Sequence, residues 1–339
     1  MSLPHHSTLL ILITGATGFI GSQVVLVSLR AGYRVRLVIR KPEQEAVLRA
    51  RYPDYNDQIE ISIITDITVR DAFKPALTGV DYVFHLASPM PGRGSDLQAD
   101  YIEPAVKGTE SVLFSALSFP QIKKVIIVSS VLALVPPTAL QQKEVFVKDN
   151  TNEIISIDLP TVIPEGPRGH GLKYSASKIC AHQATRDFLA RQNPHFTIIT
   201  LHPTFVLGES LIQETPEGID GINALFWNSL RSEKPTMPNV WVDVRDVAEA
   251  HLQALKTEIP SGTEFLLSAP AASWEEVREL VRRKFPFVGC KLEGPIEGGW
   301  TVDTRTAERM LGMNWRRQDE IVEAMLEQQL RLREVEASL

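Results

Sequence analysis

Tyr174 and Lys178 stand four residues apart in the segment Tyr-Ser-Ala-Ser-Lys, and together they are suited to proton transfer. At helical spacing, residues i and i+4 lie one turn apart on the same face. An ammonium group beside a phenol stabilises the phenolate, so we expect Lys178 to lower the pKa of Tyr174 from its usual value of about 10. Such a phenol can give its proton to the oxygen of a carbonyl group that is being reduced. The structural alternative makes Tyr174 a half-buried packing residue and Lys178 a surface charge.

Two adjacent serines, Ser129 and Ser130, end the apolar run that begins at Val125. Open α/β sheets bind ligands at the carboxyl ends of their strands. A serine hydroxyl placed there can donate a hydrogen bond to a substrate carbonyl and hold it near the tyrosine. The position alone fits either serine.

A glycine-rich turn near the N terminus has the pattern of a phosphate-binding loop. Residues 14–21, Thr-Gly-Ala-Thr-Gly-Phe-Ile-Gly, follow an apolar run directly and open a predicted helix. Gly15 and Gly18 would permit a tight turn and the close approach of a pyrophosphate, and Gly21 would let the helix pack against the sheet. The alternative is an ordinary strand-to-helix turn. The predicted cofactor-binding residues of this turn are Gly15, Thr17, Gly18, Phe19, Ile20 and Gly21.

The end of the second apolar run indicates which dinucleotide binds. Arg40 lies nineteen residues beyond Gly21 and is followed by Lys41, and the next acidic residue is Glu43. Proteins that prefer NAD usually place Asp or Glu at this distance for the ribose diol, whereas a cation pairs with the 2′-phosphate of NADP. The sequence therefore predicts NADP(H), bound through Arg40 and Lys41. The alternative is that Arg40 is only a solvated charge at a strand end.

These side chains need a framework of alternating strands and helices, and the first two hundred residues have that pattern. Several runs are apolar at nearly every position, as expected of central parallel strands covered on both faces. The pattern predicts an α/β fold with a doubly wound parallel sheet of the Rossmann type. The predicted strands are Leu9–Thr14, Val35–Ile39, Ile59–Ile64, Val80–Leu86, Val125–Ser129 and Phe196–Leu201, and the predicted helices are Gly18–Arg30, Glu43–Arg51, Leu97–Ser118 and Ser175–Arg191.

After Pro203 the alternation gives way to a smaller, irregular α/β region that we interpret as substrate-binding. We expect residues 1–203, with 239–258 returning, to form the dinucleotide-binding domain. Residues 204–238 and 259–339 are expected to form the substrate domain and the C-terminal helices. The stretch 136–171 is predicted to be loop and marginal strand that could cover a site.

Composition limits the classes of partner. The 339 residues are 44% hydrophobic and 22% charged, which is ordinary for a globular protein. The net charge of −6 gives no reason to expect nucleic acid or an anionic membrane as a partner. The two cysteines are too few for a disulfide framework, and the N terminus lacks a basic leader, so we expect a cytoplasmic protein. We expect a monomer or a homodimer that needs no metal.

Several segments, taken together, resemble the extended short-chain dehydrogenase/reductases. In the family's order they are TGATGFIG at 14–21, Asp66 in ITDIT, HLASP at 85–89, VSS at 128–130, YSASK at 174–178 and HPTFVLG at 202–208. The chain is most similar to the dihydroflavonol reductases, cinnamoyl-CoA reductases and fungal methylglyoxal or ketone reductases, to which the segment 241–251 also contributes. The resemblance implies a nicotinamide cofactor and a catalytic trio of Ser130, Tyr174 and Lys178.

The resemblance also implies supporting roles. It favours Ser130 over Ser129, and it has Lys178 hydrogen-bond the nicotinamide ribose. Lys107 stands where many extended members carry an asparagine of a proton relay, so that role does not transfer. The remaining cofactor-binding residues that it implies are the adenine-contacting pair Asp66 and Ile67, the strand-end residues Leu86, Ala87 and Ser88, and Pro203 and Val206 at the nicotinamide end.

The substrate pocket is expected to be apolar. A nucleotide-sugar site would need several cations and amides for its diphosphate, but residues 208–253 contain only Arg231, Lys234 and Arg245 as cations. An uncharged ketone or aldehyde fits this composition better. The predicted walls are Met90, Pro91, the segment 131–136, Phe205 and the region 209–240, with substrate contacts from Met90, Ser130, Tyr174, Phe205, Phe226 and Trp227.

Three functions are compatible with these residues. The favoured one is NADPH-dependent hydride transfer to the carbonyl of a small, largely apolar ketone or aldehyde, with Tyr174 as general acid. The second is an epimerase or dehydratase that retains its nicotinamide cofactor, and Arg40 and the apolar pocket argue against it. The third is a regulator that senses NADP without chemistry, and the Tyr–Lys pair argues against that reading.

Overall fold

The strands of the protein form where its apolar runs occur. A computed structural model describes residues 8–88, 94–271, 273–296 and 299–337. Its strands are β1 (Leu10–Thr14), β2 (Arg34–Ile39), β3 (Ile59–Ile63), β4 (Tyr82–His85), β5 (Lys124–Val128), β6 (Glu144–Val147), β7 (Thr197–Pro203), β8 (Phe205–Leu207), β9 (Trp241–Asp243), β10 (Thr263–Leu267) and β11 (Gly299–Val302). The six strands predicted from the sequence are all present, with ends displaced by at most two residues.

The helices occupy the amphipathic stretches between the strands. They are α1 (Phe19–Arg30), α2 (Gln44–Arg51), α3 (Glu103–Ala116), α4 (Gly166–Gln192), α5 (Gly221–Leu230), α6 (Val244–Lys256), α7 (Trp274–Lys284), α8 (Arg305–Leu311) and α9 (Gln318–Ala337). A π-helical turn, Gln98–Ile102, leads into α3 and accounts for the start of the longer helix predicted there. Within the described ranges, no helix has the length and apolar character needed to cross a membrane.

Seven strands form one parallel sheet in the order β3–β2–β1–β4–β5–β7–β10. Side chains alternate between its faces, so Ile11 packs with the core under α1 and α6, and Leu12 packs with the core under α3 and α4. Helices therefore cover both faces of a parallel sheet. This arrangement confirms the doubly wound Rossmann-type fold.

The strand order reverses between β1 and β4, which opens a crevice at their carboxyl ends. Thr14 joins the two strands there, because its Oγ1 accepts hydrogen bonds from Leu86 N at 3.0 Å and from Ala87 N at 2.9 Å. Its hydroxyl oxygen also lies 3.1 Å from His85 Nδ1. Since the two N–H groups use the oxygen's lone pairs, the hydroxyl proton is directed to the histidine. Thr14 thus fixes the floor of the crevice.

A second core forms from the chain beyond β7. Strands β8 and β9 pair in parallel, and α5, α7 and α9 pack around them. At the centre, the ring of Phe226 lies 5.4 Å from that of Trp241 and 5.6 Å from that of Trp274. This is the smaller, irregular α/β unit that the second half of the sequence predicted.

The loop after β6 covers the outer edge of the sheet. Asn150 Oδ1 accepts a hydrogen bond from Glu264 N at 2.9 Å, and Asp149 Oδ2 accepts one from Leu266 N at 3.0 Å. These two side chains take the place of a further strand beside β10. Thr306 donates to Asp149 Oδ1 at 2.9 Å, which joins the same loop to α8.

The boundary between the two units differs from the one expected at residue 259. Strand β10 pairs with β7 in the main sheet, and Ala307 and Leu311 of α8 pack in the core under α1. These parts of 259–339 therefore belong with the sheet and not with the second core. The apolar run in β10 is short, and α8, which packs against this strand, follows only after a long stretch of chain. The sequence therefore did not show that β10 and α8 belong with the main sheet.

Helix α4 begins at Gly166, nine residues before the predicted start, so Tyr174 lies inside the helix. The prolines of the stretch 136–171 favoured a loop here, and the glycines at 166, 169 and 171 are equally typical of one. At Gly169, however, a Cβ would lie 1.7 Å from the Pro164 carbonyl oxygen. The missing side chain therefore permits close packing at the start of the helix and does not interrupt it.

Candidate active site

Glycines build the turn between β1 and α1 at points where a side chain would collide. Gly15 has φ of +73°, and a Cβ there would lie 3.0 Å from Ala87 N. At Gly21 a Cβ would lie 2.0 Å from the Gly15 carbonyl oxygen. Gly18 N donates to that oxygen at 3.0 Å and closes the turn. Gly21 thus lets α1 pack closely against the turn itself, whereas the sequence predicted that this glycine would let the helix pack against the sheet.

The N terminus of α1 fits the pyrophosphate of a dinucleotide. Within the described chain, no side chain caps this helix at Gly18. The first N–H groups of a helix have no partners within it and carry partial positive charge. Gly18 is exposed and Thr17 is half-buried, whereas Phe19 and Ile20 are half-buried against the core under α1. The turn can therefore bind phosphate through backbone N–H groups while its apolar residues anchor the helix.

Arg40 and Lys41 are exposed directly after β2. Their backbone N–H groups both donate to Gln44 Oε1, at 2.9 and 3.1 Å, so the side chain of Gln44 shapes this turn. Among the described residues, no carboxylate forms an ion pair with either cationic side chain. Both cations are accordingly available to a phosphate.

Asp66 and Ile67 follow β3 in a short turn. Asp66 Oδ1 accepts hydrogen bonds from Thr68 N at 2.8 Å and Thr68 Oγ1 at 2.7 Å, and these bonds hold the pKa of Asp66 below its usual value. Ile67 lies over α3, where a Cβ at Gly108 would be 3.3 Å from its Cδ1. The turn is thus fixed both by its own hydrogen bonds and by packing on α3.

A cavity of about 20 Å³ lies at the carboxyl ends of β4 and β5, between α3 and α4. It brings together several residues from distant parts of the sequence, namely Ile67, His85, Ala87, Ser88, Ser129 and Lys178. Burial, and then the nearby Lys178, lower the pKa of His85 to about 3, so this histidine is neutral. Leu86 instead packs against the core under α1.

Tyr174 and Lys178 are neighbours on α4, with Lys178 Nζ 5.5 Å from the centre of the tyrosine ring. Burial raises the pKa of Tyr174 to about 12 and lowers the pKa of Lys178 to about 8. The expected lowering of the tyrosine pKa is therefore not found, because withdrawal from water outweighs the attraction between the two groups. Tyr174 is protonated at neutral pH, as a proton donor must be.

Ser130 is held in a turn that is fastened to α4. Its Oγ accepts a hydrogen bond from Leu132 N at 3.2 Å, and its carbonyl oxygen accepts one from Ala133 N at 2.9 Å. Ser175, next to Tyr174, donates to the Leu132 carbonyl oxygen at 3.2 Å. The Ser130 hydroxyl therefore keeps its proton for another acceptor, close to the tyrosine helix. Ser129 differs, since it lines the cavity beside Lys178.

The predicted pocket walls separate into two groups. Phe205 and Tyr174 pack against the same buried cluster, which includes Leu132 and Leu134 of the 131–136 segment. Phe226 has no exposed surface and lies at the centre of the second core, so its assignment to the substrate was wrong. The apolar character of α5 is explained by that core. Met90 and Pro91 lie outside the described residues.

Three further predicted contacts lie toward the second unit. Trp227 is 8% exposed, and the Arg333 guanidinium lies 5.3 Å from its ring centre, so α9 covers it. Pro203 is buried at the end of β7, and Val206 is 6% exposed on β8 opposite Val242. Pro203 and Val206 thus lie near the carboxyl edge of the sheet, whereas Trp227 packs between elements of the second core.

Two residues that the sequence reasoning did not single out organise the site. Thr14 holds the ends of β1 and β4 together, and Ser175 fastens α4 to the Ser130 turn. A polar residue as the last member of an apolar strand could have pointed to Thr14. Ser175 carries no comparable signal, since its partner is a backbone carbonyl that only the tertiary structure brings near.

Comparisons with known proteins agree with this geometry. A sequence model of the NAD dependent epimerase/dehydratase family matches residues 11–267. The chain is 37% identical over 330 residues to the protein named ketoreductase sphI of Aspergillus fumigatus, covering 95% of this chain and 97% of that one.

Solved structures share the fold over nearly the whole chain. The yeast methylglyoxal/isovaleraldehyde reductase Gre2, solved with NADPH, superposes with a TM-score of 0.82 at 23% identity and covers 96% of this chain and 99% of its own. Vestitone reductase from alfalfa superposes with a TM-score of 0.72 at 21% identity and covers 97% and 99%. The resemblance drawn from the sequence motifs is thereby confirmed.

Proposed function

The chain belongs to the NAD dependent epimerase/dehydratase family, and we propose that it is an NADPH-dependent reductase of small, largely apolar ketones or aldehydes. The observation that carries this proposal is the Ser130 turn fastened beside a protonated Tyr174, with Lys178 one turn further along α4. The ketoreductase name of a relative that is 37% identical over nearly the full length supports the same class of reaction.

The choice of NADPH depends on the surface at the end of β2. Arg40 and Lys41 are exposed there, and no described carboxylate competes for their side chains. A 2′-phosphate would form charge-assisted hydrogen bonds with such cations, whereas an acidic side chain at this place would repel it. When bound, the reduced nicotinamide supplies a hydride to the carbonyl carbon. The turn at Gly15 and the N terminus of α1 would hold the pyrophosphate.

The protein's own residues supply the proton and hold the oxygen. Ser130 donates a hydrogen bond to the carbonyl oxygen, and Tyr174 donates its proton to the same oxygen as negative charge develops there. The ammonium group of Lys178 stabilises the phenolate that is left behind. Tyr174 recovers its proton from water before the next turnover.

The substrate class follows from the surroundings of Tyr174. The side chains that pack with it include Phe205, Leu132 and Leu134, which are apolar. A pocket of this kind gains free energy from apolar groups of the substrate and uses a few hydroxyls to orient its carbonyl. This composition favours an uncharged carbonyl compound over a nucleotide sugar.

A cofactor and substrate screen tests the proposal. The purified chain is mixed with NADPH or NADH and with methylglyoxal, isovaleraldehyde, diacetyl or acetophenone, and the absorbance of reduced nicotinamide is followed. We expect steady consumption of NADPH with at least one of these compounds and slower consumption of NADH. An epimerase that retains its cofactor would show no net consumption, and a regulator would bind NADPH without turnover with any compound.

A further inference from the structure

Three polar side chains that the proposed reaction does not use form a buried cluster between α4, β7 and β10. They are His182, His202 and Glu264, with exposed fractions of 5, 0 and 3%. Burial of polar groups is costly unless they are hydrogen-bonded. The contacts of the cluster therefore indicate what it does.

His202 connects β7 to the Ser130 turn. Its Nδ1 lies 3.0 Å from the Ser130 carbonyl oxygen, and its Nε2 lies 3.0 Å from Thr200 Oγ1. A carbonyl oxygen only accepts, so Nδ1 carries the proton, and Nε2 accepts from the threonine hydroxyl. Burial lowers the pKa of His202 to about 3 and keeps the ring neutral, and the bond to the Ser130 carbonyl oxygen then places its one proton on Nδ1.

The same histidine also contacts α4. The rings of His202 and His182 are nearly perpendicular, with centres 4.6 Å apart. His182 lies one turn beyond Lys178, and its Nε2 is 2.9 Å from Glu264 Oε1 on β10. Arg186, one turn further along, donates to that oxygen through Nε at 2.8 Å. Helix α4 is thus joined to the sheet next to the residues that we propose as catalytic.

Hydrogen bonds account for the polar atoms of the cluster except His182 Nδ1, which is buried without a partner among the described residues. Two histidines and a carboxylate within 4.8 Å of one another resemble a ligand set. However, both nitrogens of His202 are engaged, and the carboxylate oxygen nearest His182 already binds the guanidinium of Arg186. An adjacent guanidinium also repels a cation. The arrangement therefore favours a structural connection over a metal centre.

We propose that His202 is a positioning residue that fixes the Ser130 hydroxyl and α4, with Tyr174, at the relative position needed for carbonyl reduction. The Nδ1–H bond fixes the Ser130 peptide, and the contact with His182 fixes α4 one turn beyond Lys178. This inference rests on the proposed reductase function. Displacement of a reacting group by about 1 Å can lower a rate by up to about 100-fold, so the connection matters for turnover more than for cofactor binding.

Two amide variants test the role of the Nδ1–H group. In His202→Asn the side-chain nitrogen comes near the place of Nδ1 and can still donate to the Ser130 carbonyl oxygen, whereas in His202→Gln it comes near the place of Nε2. The two variants are alike in charge and polarity. We expect kcat to fall about 10- to 100-fold in His202→Gln, with much of it retained in His202→Asn, while the Kd for NADPH stays near that of the wild type in both.

The readouts are kcat and KM with the best carbonyl substrate of the screen, and the Kd for NADPH from its fluorescence. His251→Leu is a matched control, because His251 is also fully buried but bonds to Val247 O in its own helix. We expect this variant to change stability and not kcat. Equal kcat values in the Asn and Gln variants, or a higher value in the Gln variant, would overturn the role of His202.

The test separates this inference from the proposed function. A wild-type protein that consumes no NADPH with any compound contradicts the reductase proposal. A wild-type protein that is active, together with a His202→Gln variant that keeps full kcat, contradicts only the positioning role. If the Gln variant loses NADPH affinity in proportion to kcat, His202 stabilises the folded protein as a whole and does not specifically position Ser130 and Tyr174. The positioning role is then again refuted.

Discussion

The pKa values of Tyr174, the proposed proton donor, and of Lys178, which stabilises its phenolate, suit reduction better than oxidation. Burial raises the pKa of Tyr174 to about 12, so the phenol keeps its proton at neutral pH and is ready to donate it. In the reverse direction the same residue would have to act as a phenolate base, which is scarce under these conditions. Lys178, with a pKa of about 8, is still mostly protonated at neutral pH and can stabilise the phenolate formed in turnover.

Removal of the phenol tests this assignment. In Tyr174→Phe we expect kcat for carbonyl reduction to fall by about 100-fold or more, because the proton donor is lost. The Kd for NADPH is expected to change little, since the ring remains in place. Stopped-flow or steady-state loss of NADPH absorbance measures the first quantity and fluorescence titration the second. Turnover at the wild-type rate would remove Tyr174 as the acid.

The choice of cofactor is a second question at the residue scale. In Arg40→Asp we expect NADPH to bind about 10- to 100-fold more weakly, because a charge-assisted hydrogen bond is replaced by repulsion. NADH, which lacks the 2′-phosphate, should lose little affinity or gain some. Arg191→Asp is the control, since it makes the same charge change at the end of α4, far along the chain from the turn. An unchanged ratio of the two affinities would refute the role of Arg40.

At the scale of elements, the start of α1 depends on two glycines for different physical reasons. A Cβ at Gly21 would lie 2.0 Å from the Gly15 carbonyl oxygen, so α1 or the turn would have to shift to relieve the overlap. A Cβ at Gly18 would lie 3.4 Å from the same oxygen, which is ordinary contact, and its φ of −87° suits any residue. Gly21 is therefore required by the fold, whereas the described contacts would allow a side chain at Gly18, and we propose that the close approach of the cofactor requires this glycine.

Alanine variants at the two positions separate these roles. We expect Gly21→Ala to lower the melting temperature and the affinity for NADPH together, at a cost to stability of about 1–3 kcal/mol from overpacking. Gly18→Ala should leave the melting temperature near that of the wild type and weaken only NADPH. Circular dichroism and fluorescence titration give the two quantities. A stable Gly21→Ala protein with full affinity would contradict the packing account.

The sequence predicted the elements whose signals are local. The apolar runs located β1 to β5 and β7, and the glycine spacing located the turn, because strand burial and tight turns depend on neighbouring residues. The early start of α4 was missed, since prolines and glycines are typical of loops, whereas Gly169 here permits close packing against the Pro164 carbonyl at the start of the helix. Phe226 was misassigned because an apolar helix can face either a pocket or a core. The bond between His202 and Ser130 joins residues 72 positions apart, and no local pattern reports it.

At the scale of the whole molecule, several buried histidines make stability depend on pH. Burial lowers the pKa of His85 and His202 to about 3 and that of His251 to about 4. The unfolded chain, with histidine pKa values of about 6.5, binds more protons than the native protein between these values. Stability is therefore fully present above about pH 6.5 and is lost as the pH falls toward 4.

Thermal melts from pH 8 to pH 4 measure this dependence. Each histidine that stays neutral in the native protein can add up to about 1.4 kcal/mol of lost stability per pH unit. Glu264, with a pKa of about 2, adds to the loss, whereas the raised pKa values of Asp149 and Asp246 oppose it. We expect His251→Leu to make the dependence shallower. A melting temperature that is constant from pH 7 to pH 5 would contradict this account.

The side chains of Asp149 and Asn150 have a consequence for the behaviour of the protein in concentrated solution. An unpaired outer strand offers N–H groups to any other extended chain and so promotes intermolecular pairing. Here the N–H groups of Glu264 and Leu266 are already bonded within the molecule. Substitution of both loop residues by alanine should therefore first appear as concentration-dependent aggregation, visible by light scattering, in a protein that still reduces its substrate.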